Sequence, residues 1–585
     1  MSEEIRGPKA PKDPTKKRPS FYIMRNKGVA GSPQPDGRGI QFIYEDDGRL
    51  INSAKITGGI DDEEIFTLLR TTEGFRKLVN SIGVSVTADD KDMDVTFALQ
   101  MYGKTDKYGG GTTITKVCKA NDMEYVIPLD EIDFSEDDDL PGQIRFEFEK
   151  AGLFATVNVR LFLNDGFSAP EIEDELPVDF NSKAYAEMIE KSLMNMGNNV
   201  RLKKAIEKAE RGEDVTISFI GGSITQGAGA IPINTECYAY KTFKGFCDLT
   251  GRAYDDNVHY CKAGVGGTPS ELGMLRYDRD VREDAAGEPD VVVVEFAVND
   301  EGDETKGTCY DSLVRKIWNG PSKPAVILIF AVFADDFNLQ ERLSPVGYAY
   351  NLPMVSTKNS VVDQFYKKVS EGKIVSKSQY FYDVYHPSNT GHTIMADGII
   401  SLMKKAKDSS YDECDVDINS IDAPLGKTFE KVKLLDRKDN ECGAVIDMGS
   451  FTDIDDNTQG VERNLDLHQT KEFAHNFMYK GEKGRTDNNP FILDIDCKSL
   501  LLIFKDSGET NAGKADVYVD GVKKLTADPR EVGWNHCSPI IIVNEDEVKS
   551  HHVEVKMQEN DLNKEFTILG FGFVNDTDCS SCGIQ

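Results

Sequence analysis

Three regimes of apolar patterning succeed one another along the chain. From about residue 38 to 175 the apolar positions alternate with other residues. Val95, Phe97, Leu99 and Met101 do so, as do Ile144, Phe146 and Phe148, and then Val157, Val159, Leu161 and Leu163. Period two is the mark of half-buried strands, and several such runs predict a β-sandwich. Gly-rich and acidic turns separate them, at 107–111 and 136–140. One helix-like segment, roughly 61–82, interrupts the series.

Near residue 181 the period changes. Asn181 and Ser182 are placed to cap a helix carrying Tyr185, Met188, Ile189, Leu193 and Met196, and a second helix is expected over 200–210. Strands and helices then alternate. Candidate strands are 215–220, 258–262, 291–296, 326–332 and 354–356, with helices over 238–249 and 309–318. Val291 to Val294 is an unbroken apolar run, as expected of a parallel strand buried on both faces. This pattern predicts a doubly wound α/β domain with a parallel sheet. After Asp408 the pattern returns to strands, at 500–504, 515–519, 552–555 and 566–573. Asp520-Gly521 stands between two strand-like runs as a hairpin turn.

A chain of 585 residues exceeds one hydrophobic core, so several domains are expected. The expected organisation is a polar tail (1–37), a β-sandwich (38–178), the α/β domain (179–408), a C-terminal β-sandwich (409–578) and a short tail (579–585). The fold class is thus α/β, a doubly wound parallel-sheet core flanked by two β-sandwich domains. The N-terminus is Pro/Lys-rich without a secretory apolar stretch, which points to a cytoplasmic location. No run of about 18 apolar residues suggests a membrane span. The net charge of −32 argues against nucleic acid or anionic membranes as partners but suits a neutral substrate. The eleven cysteines are scattered and odd in number, unlike a disulfide framework. Cys579 and Cys582 form a lone CxxC that reads as tail rather than zinc site.

Four short segments bear chemistry, each where a parallel sheet places its active site, beyond the carboxyl end of a strand. In 220–227 a strand runs into Gly221-Gly222-Ser223. Glycines there allow a tight path that exposes a serine hydroxyl, although a plain turn has the same composition, and a phosphate loop would need a lysine that is absent. In 261–268 a glycine corner containing Gly267 could offer backbone N–H groups to an anion, or simply turn. Asn299, after the most apolar strand, could aim its amide at an oxyanion or cap the next helix. Asp383 precedes His386 by three residues, close enough to orient its imidazole.

In this order the segments resemble the blocks of the SGNH, or GDSL-like, hydrolases. Ser223, Gly267, Asn299 and His386 match the four lettered residues, and Asp383 fits the D-x-x-H. The resemblance covers about 215–405. Gly222 stands where many members have Asp, and Ala297 replaces a Gly. The resemblance implies Ser223 as nucleophile, His386 as base and Asp383 as its orienting acid. It implies an oxyanion hole of the Ser223 and Gly267 N–H groups with the Asn299 side chain. It implies neither metal nor organic cofactor, and the eight histidines show no HxH or HExxH spacing.

Beyond these blocks, the stretches 222–240, 258–268 and 291–300 are similar to SGNH carbohydrate esterases that deacetylate hemicellulose sugars. The C-terminal region resembles the carbohydrate-binding-module-like sandwich attached to some of them. The expected substrate is therefore an acetylated oligosaccharide of mannan or xylan type. Trp534, in Gly533-Trp534-Asn535, is the candidate sugar platform, with burial in the sandwich core as the competing reading. A general small-acyl esterase or thioesterase, and a glycan-binding protein with a silent hydrolase core, are the other readings of the same chain.

Overall fold

The structure is a computed structural model that describes residues 18–171, 175–254, 256–283, 287–461, 470–482, 484 and 487–575. The chain forms two compact units, one of Met1–Leu176 with Lys377–Val384, the other of Pro177–Ser376 with Tyr385–Gln585.

In the first unit two antiparallel sheets enclose one apolar core. One sheet runs in the order Ser20–Ala30, Phe154–Leu163, Val79–Thr87, Tyr125–Pro128. The other runs Ser32–Pro33, Gly39–Tyr44, Asp138–Phe148, Asp94–Gly103, Thr113–Lys119. Phe97, Phe146, Val157 and Leu161, the alternating residues of the sequence, point into that core. The expected polar tail over 1–37 is corrected beyond residue 17. Ser20–Ala30 is a strand paired antiparallel with Phe154–Leu163, and its Phe21, Ile23, Met24 and Val29 are buried. Register irregularities between Tyr22 and Lys27 break its alternation, so the period-two pattern is lost. Residues 1–17 lie outside the described residues. The helix-like 61–82 resolves into two short helices, Glu63–Leu69 and Thr72–Leu78, capped by the side chains of Asp62 and Thr71. From Val79 the chain is already a strand.

The second unit holds a six-stranded sheet in the order Leu193–Asn195, Met354–Ser356, Ala325–Phe330, Val291–Glu295, Val215–Gly221, Val258–Gly264. Five strands are parallel and Leu193–Asn195 is an antiparallel edge. That edge is a correction. The helix capped by Ser182 stops at Glu190, and Leu193 pairs with Val355 instead of continuing it. The parallel strands are covered on both faces. Ile220, Val292, Val294 and Leu328 face one core, while Ile217, Phe219, Val291, Val293 and Ile327 face the other. Numbered along the chain the parallel strands lie in the order 2-1-3-4-5. The order reverses between Val215–Gly221 and Val291–Glu295, and a crevice opens at such a switch point, at the carboxyl ends of the strands.

The C-terminal region differs from the expected two-sheet sandwich in its connectivity. Eight strands form one connected antiparallel sheet, because Phe491–Asp506 and His536–Met557 are long enough to change partners along their length. Leu501, Ile503, Leu569 and Val574 of this sheet join the same apolar core as the α/β strands. Asp520 and Gly521, with φ of 52° and 76°, form the turn between Ala515–Val519 and Val522–Ala527, the positive dihedrals a two-residue hairpin requires. Cys579 and Cys582 lie outside the described residues, and every described cysteine is a free thiol. No helix among the described residues is long and apolar enough to cross a membrane.

Candidate active site

The site lies at the switch point. Ser223 opens a short helix, Ser223–Gln226, directly after the Val215–Gly221 strand, first of the parallel strands in the chain. His386 Nε2 is 2.9 Å from Ser223 Oγ, although the two residues are 163 positions apart. A hydroxyl hydrogen-bonded to an imidazole is the arrangement in which serine becomes a nucleophile.

The other histidine of this region, His392, is excluded as the base by its own bonding. Its Nδ1 accepts from the Tyr238 N–H and its Nε2 is 3.1 Å from the Ala228 carbonyl, so both nitrogens are occupied. Complete burial drives its pKa down to about 3. Unfolding restores an ordinary imidazole, so between pH 6.5 and 3 the unfolded chain binds a proton that the fold refuses, and stability is lost as pH falls through that window. The penalty reaches about 2 kcal/mol at about pH 5. Buried Glu271 and Glu295, with pKa values raised to about 9 and about 8 chiefly by burial, act in the opposite sense. The measurement is therefore the pH dependence of urea unfolding in His392→Gln against the unsubstituted chain. The variant is expected to lose less stability between about pH 7 and 5, and an identical slope in both would refute the assignment.

Asn299 lies just beyond the Val291–Glu295 strand. It sits at the N-cap position of the Asp300–Gly302 turn but makes no side-chain cap bond, so the capping reading fails. Its Oδ1 is buried without a hydrogen-bond partner among the described residues. Its place explains Gly222. A Cβ at Gly222 would lie 2.2 Å from Asn299 Oδ1, so a residue with a side chain cannot stand there unless Asn299 moves. The adjoining Asp300 ties two loops together, accepting hydrogen bonds of 2.7 Å from both the N–H and the hydroxyl of Ser270, the first residue of the Ser270–Tyr277 helix. Asn299 and the glycine loop preceding that helix are thus held in one framework.

Gly267 has φ of +68°, and a Cβ on it would meet the Trp534 ring at 2.4 Å. Both facts demand glycine. Trp534 is 45% exposed on the loop between Val522–Ala527 and His536–Met557, which removes the core reading and places its ring beside the glycine loop. Two neighbours escaped sequence reasoning. Gln459 Nε2 donates to the Gly266 carbonyl at 2.7 Å, and His536 Nε2 lies 3.1 Å from the Gly267 carbonyl. Nothing in the local sequence of Gln459 marks it. Arg276 carries no sequence signal either. Fully buried, it donates to the carbonyls of Gly221 and Ala263, fastening the ends of the two strands that carry the serine and glycine loops.

Asp383 groups with the first unit, within Lys377–Val384. There the half-buried Lys27 donates to the Tyr382 carbonyl at 2.9 Å and lies 4.0 Å from the centre of its ring. Burial lowers the Lys27 pKa, against the pull of Glu45 and Asp383. As a metal site, the one acidic-thiol group among the described residues, Glu271, Asp303 and Cys309, is ill suited. The Glu271 carboxyl is protonated at neutral pH by burial and by Asp303, and Asp303 already accepts from Thr305 and Gly307.

A serine paired with an imidazole above a parallel sheet, beside a glycine loop and an asparagine, is an arrangement that resembles the serine ester hydrolases of the SGNH kind. Residues 219–394 match the model of the GDSL-like lipase/acylhydrolase family. Among solved structures, a two-domain esterase active on acetylated mannans is 28% identical with a TM-score of 0.56, covering 66% of this chain and 99% of its own. The same enzyme co-crystallized with mannopentaose gives 28% identity and a TM-score of 0.55, covering 66% of this chain and 98% of its own. None of the curated proteins compared with the chain matches it. The chain is a carboxylic ester hydrolase that resembles the carbohydrate esterases.

Proposed function

We propose that the protein removes O-acetyl groups from hemicellulose-derived oligosaccharides, of mannan type before xylan type, through an acyl-enzyme. The observation that carries this reading is the 2.9 Å Ser223–His386 pair beside a glycine loop against which an exposed indole rests. Ser223 attacks the acetyl carbonyl while His386 takes its proton. His386 then returns that proton to the departing sugar hydroxyl. Asp383, three residues before His386, orients the imidazole and stabilises its charged form. The N–H groups of Ser223 and Gly267, with the Asn299 amide, receive the charge that develops on the carbonyl oxygen. Water, activated by the same imidazole, releases acetate. Trp534 offers the sugar ring a flat apolar face whose rim stays wet. The similarity to the acetylated-mannan esterase favours mannan as the source.

Acetate release from acetylated mannan and xylan oligosaccharides, measured beside 4-nitrophenyl acetate, tests the substrate. Preference for the mannan series is expected. Comparable turnover of small aryl esters and thioesters with no gain from the sugar would point instead to a general esterase, and glycan binding without turnover to a silent core. Trp534→Ala is expected to lower kcat/KM on the oligosaccharide about 30-fold, as for loss of a roughly 2 kcal/mol aromatic anchor. The aryl acetate should lose far less. Equal losses on both substrates would end the stacking idea.

A further inference from the structure

The Gly266–Gly267 peptide supplies the N–H proposed to receive the oxyanion. The carbonyl of that same peptide accepts a 2.7 Å hydrogen bond from Gln459 Nε2. Gln459 is itself held at its other end, since its Oε1 accepts from the Cys537 N–H at 3.1 Å. The contact joins residues 193 positions apart, so it exists only because the C-terminal region folds back onto the glycine loop.

We infer that Gln459, on the C-terminal region, is a positioning residue for the oxyanion hole, acting through the Gly266 carbonyl on the Gly267 N–H. The physical reason lies in the peptide unit. It is planar and trans, so its C=O and N–H point in opposite directions, and a donor that fixes the oxygen also fixes the direction of the hydrogen. A hydrogen bond accepted at the oxygen further polarises the N–H and makes it the better donor. Gly267 needs such restraint, because a glycine at φ +68° has wide backbone freedom. His536 adds a second hold on the next carbonyl, 3.1 Å from the Gly267 oxygen, and burial lowers its pKa so that it stays neutral there. The C-terminal sheet thereby contributes to the chemical step, in addition to any contact it makes with sugar. This inference rests on the proposed roles of Ser223 and Gly267.

Gln459→Glu separates positioning from simple support. A glutamate keeps the length and can still accept from the Cys537 N–H, but at neutral pH it cannot donate to Gly266. Gln459→Met, of similar length and uncharged, removes the same donor without adding charge. On 4-nitrophenyl acetate both variants are expected to lose about 10- to 30-fold in kcat, part of the roughly 100- to 1,000-fold cost of losing a whole oxyanion donor. KM should stay within about twofold, and the affinity for a boronic acid that forms a tetrahedral serine adduct should fall in parallel with kcat. Either variant that folds with kcat within about twofold of the unsubstituted chain would overturn the inference. So would a loss carried by KM with boronate affinity unchanged. Ser223→Ala, run beside them, keeps the two failures distinct. Activity surviving in that variant refutes the active-site reading itself, whereas an inert Ser223→Ala with fully active Gln459 variants refutes only the positioning role.

Discussion

Ser223→Ala is expected to lower kcat by roughly a millionfold on every ester, the scale seen when a triad nucleophile is removed from a serine hydrolase. The reason is covalent. With Oγ gone there is no atom to carry the acetyl group, and the residual rate comes from the oxyanion donors and binding alone. The fold should be unaffected, because Ser223 Oγ is partnered with the His386 imidazole at the crevice and Ile224 and Thr225 beside it make the buried contacts. The measurement is acetate release and 4-nitrophenolate release with the thermal midpoint monitored in parallel. Near-normal turnover in a well-folded variant would remove Ser223 as nucleophile.

The second large effect concerns the base. His386→Gln should cost a comparable factor, because the serine hydroxyl then has no acceptor for its proton and the leaving alkoxide has no donor. A glutamine retains hydrogen-bonding capacity towards Ser223 Oγ but cannot take up its proton, so the pH profile of the remaining rate should differ from that of the unsubstituted chain. His392→Gln provides the contrast, since that ring is buried with both nitrogens engaged and its replacement should act on stability rather than on the pH profile of kcat. A His386→Gln enzyme with the unsubstituted rate and profile would transfer the role elsewhere.

Much of the core is legible because its local patterns are strong. The apolar run Val291 to Val294 marks a strand buried on both faces, and the Asp520-Gly521 pair marks a two-residue turn. The Val200–Glu210 and Tyr238–Thr250 helices lie where helical spacing predicts them. Legibility fails where local pattern and tertiary context disagree. The Ser20–Ala30 strand reads as tail because irregular register erases its alternation and a cationic segment precedes it. Leu193 reads as helical because its spacing from Ile189 is helical, yet edge pairing with Val355 wins.

Sequence alone marked the candidates proposed as nucleophile, base and oxyanion donors, since these are short-range motifs set by residue type and by their place at the end of a strand. The tertiary structure decided which of them meet. Strand order at the switch point brings Ser223 within 2.9 Å of His386, and the C-terminal sheet brings Gln459 and Trp534 to the Gly266–Gly267 loop. Such approaches span from 163 positions of chain, for Ser223 and His386, to 269, for Gly267 and His536. Contacts at those separations arise from how sheets pack and share a core, which no local period encodes.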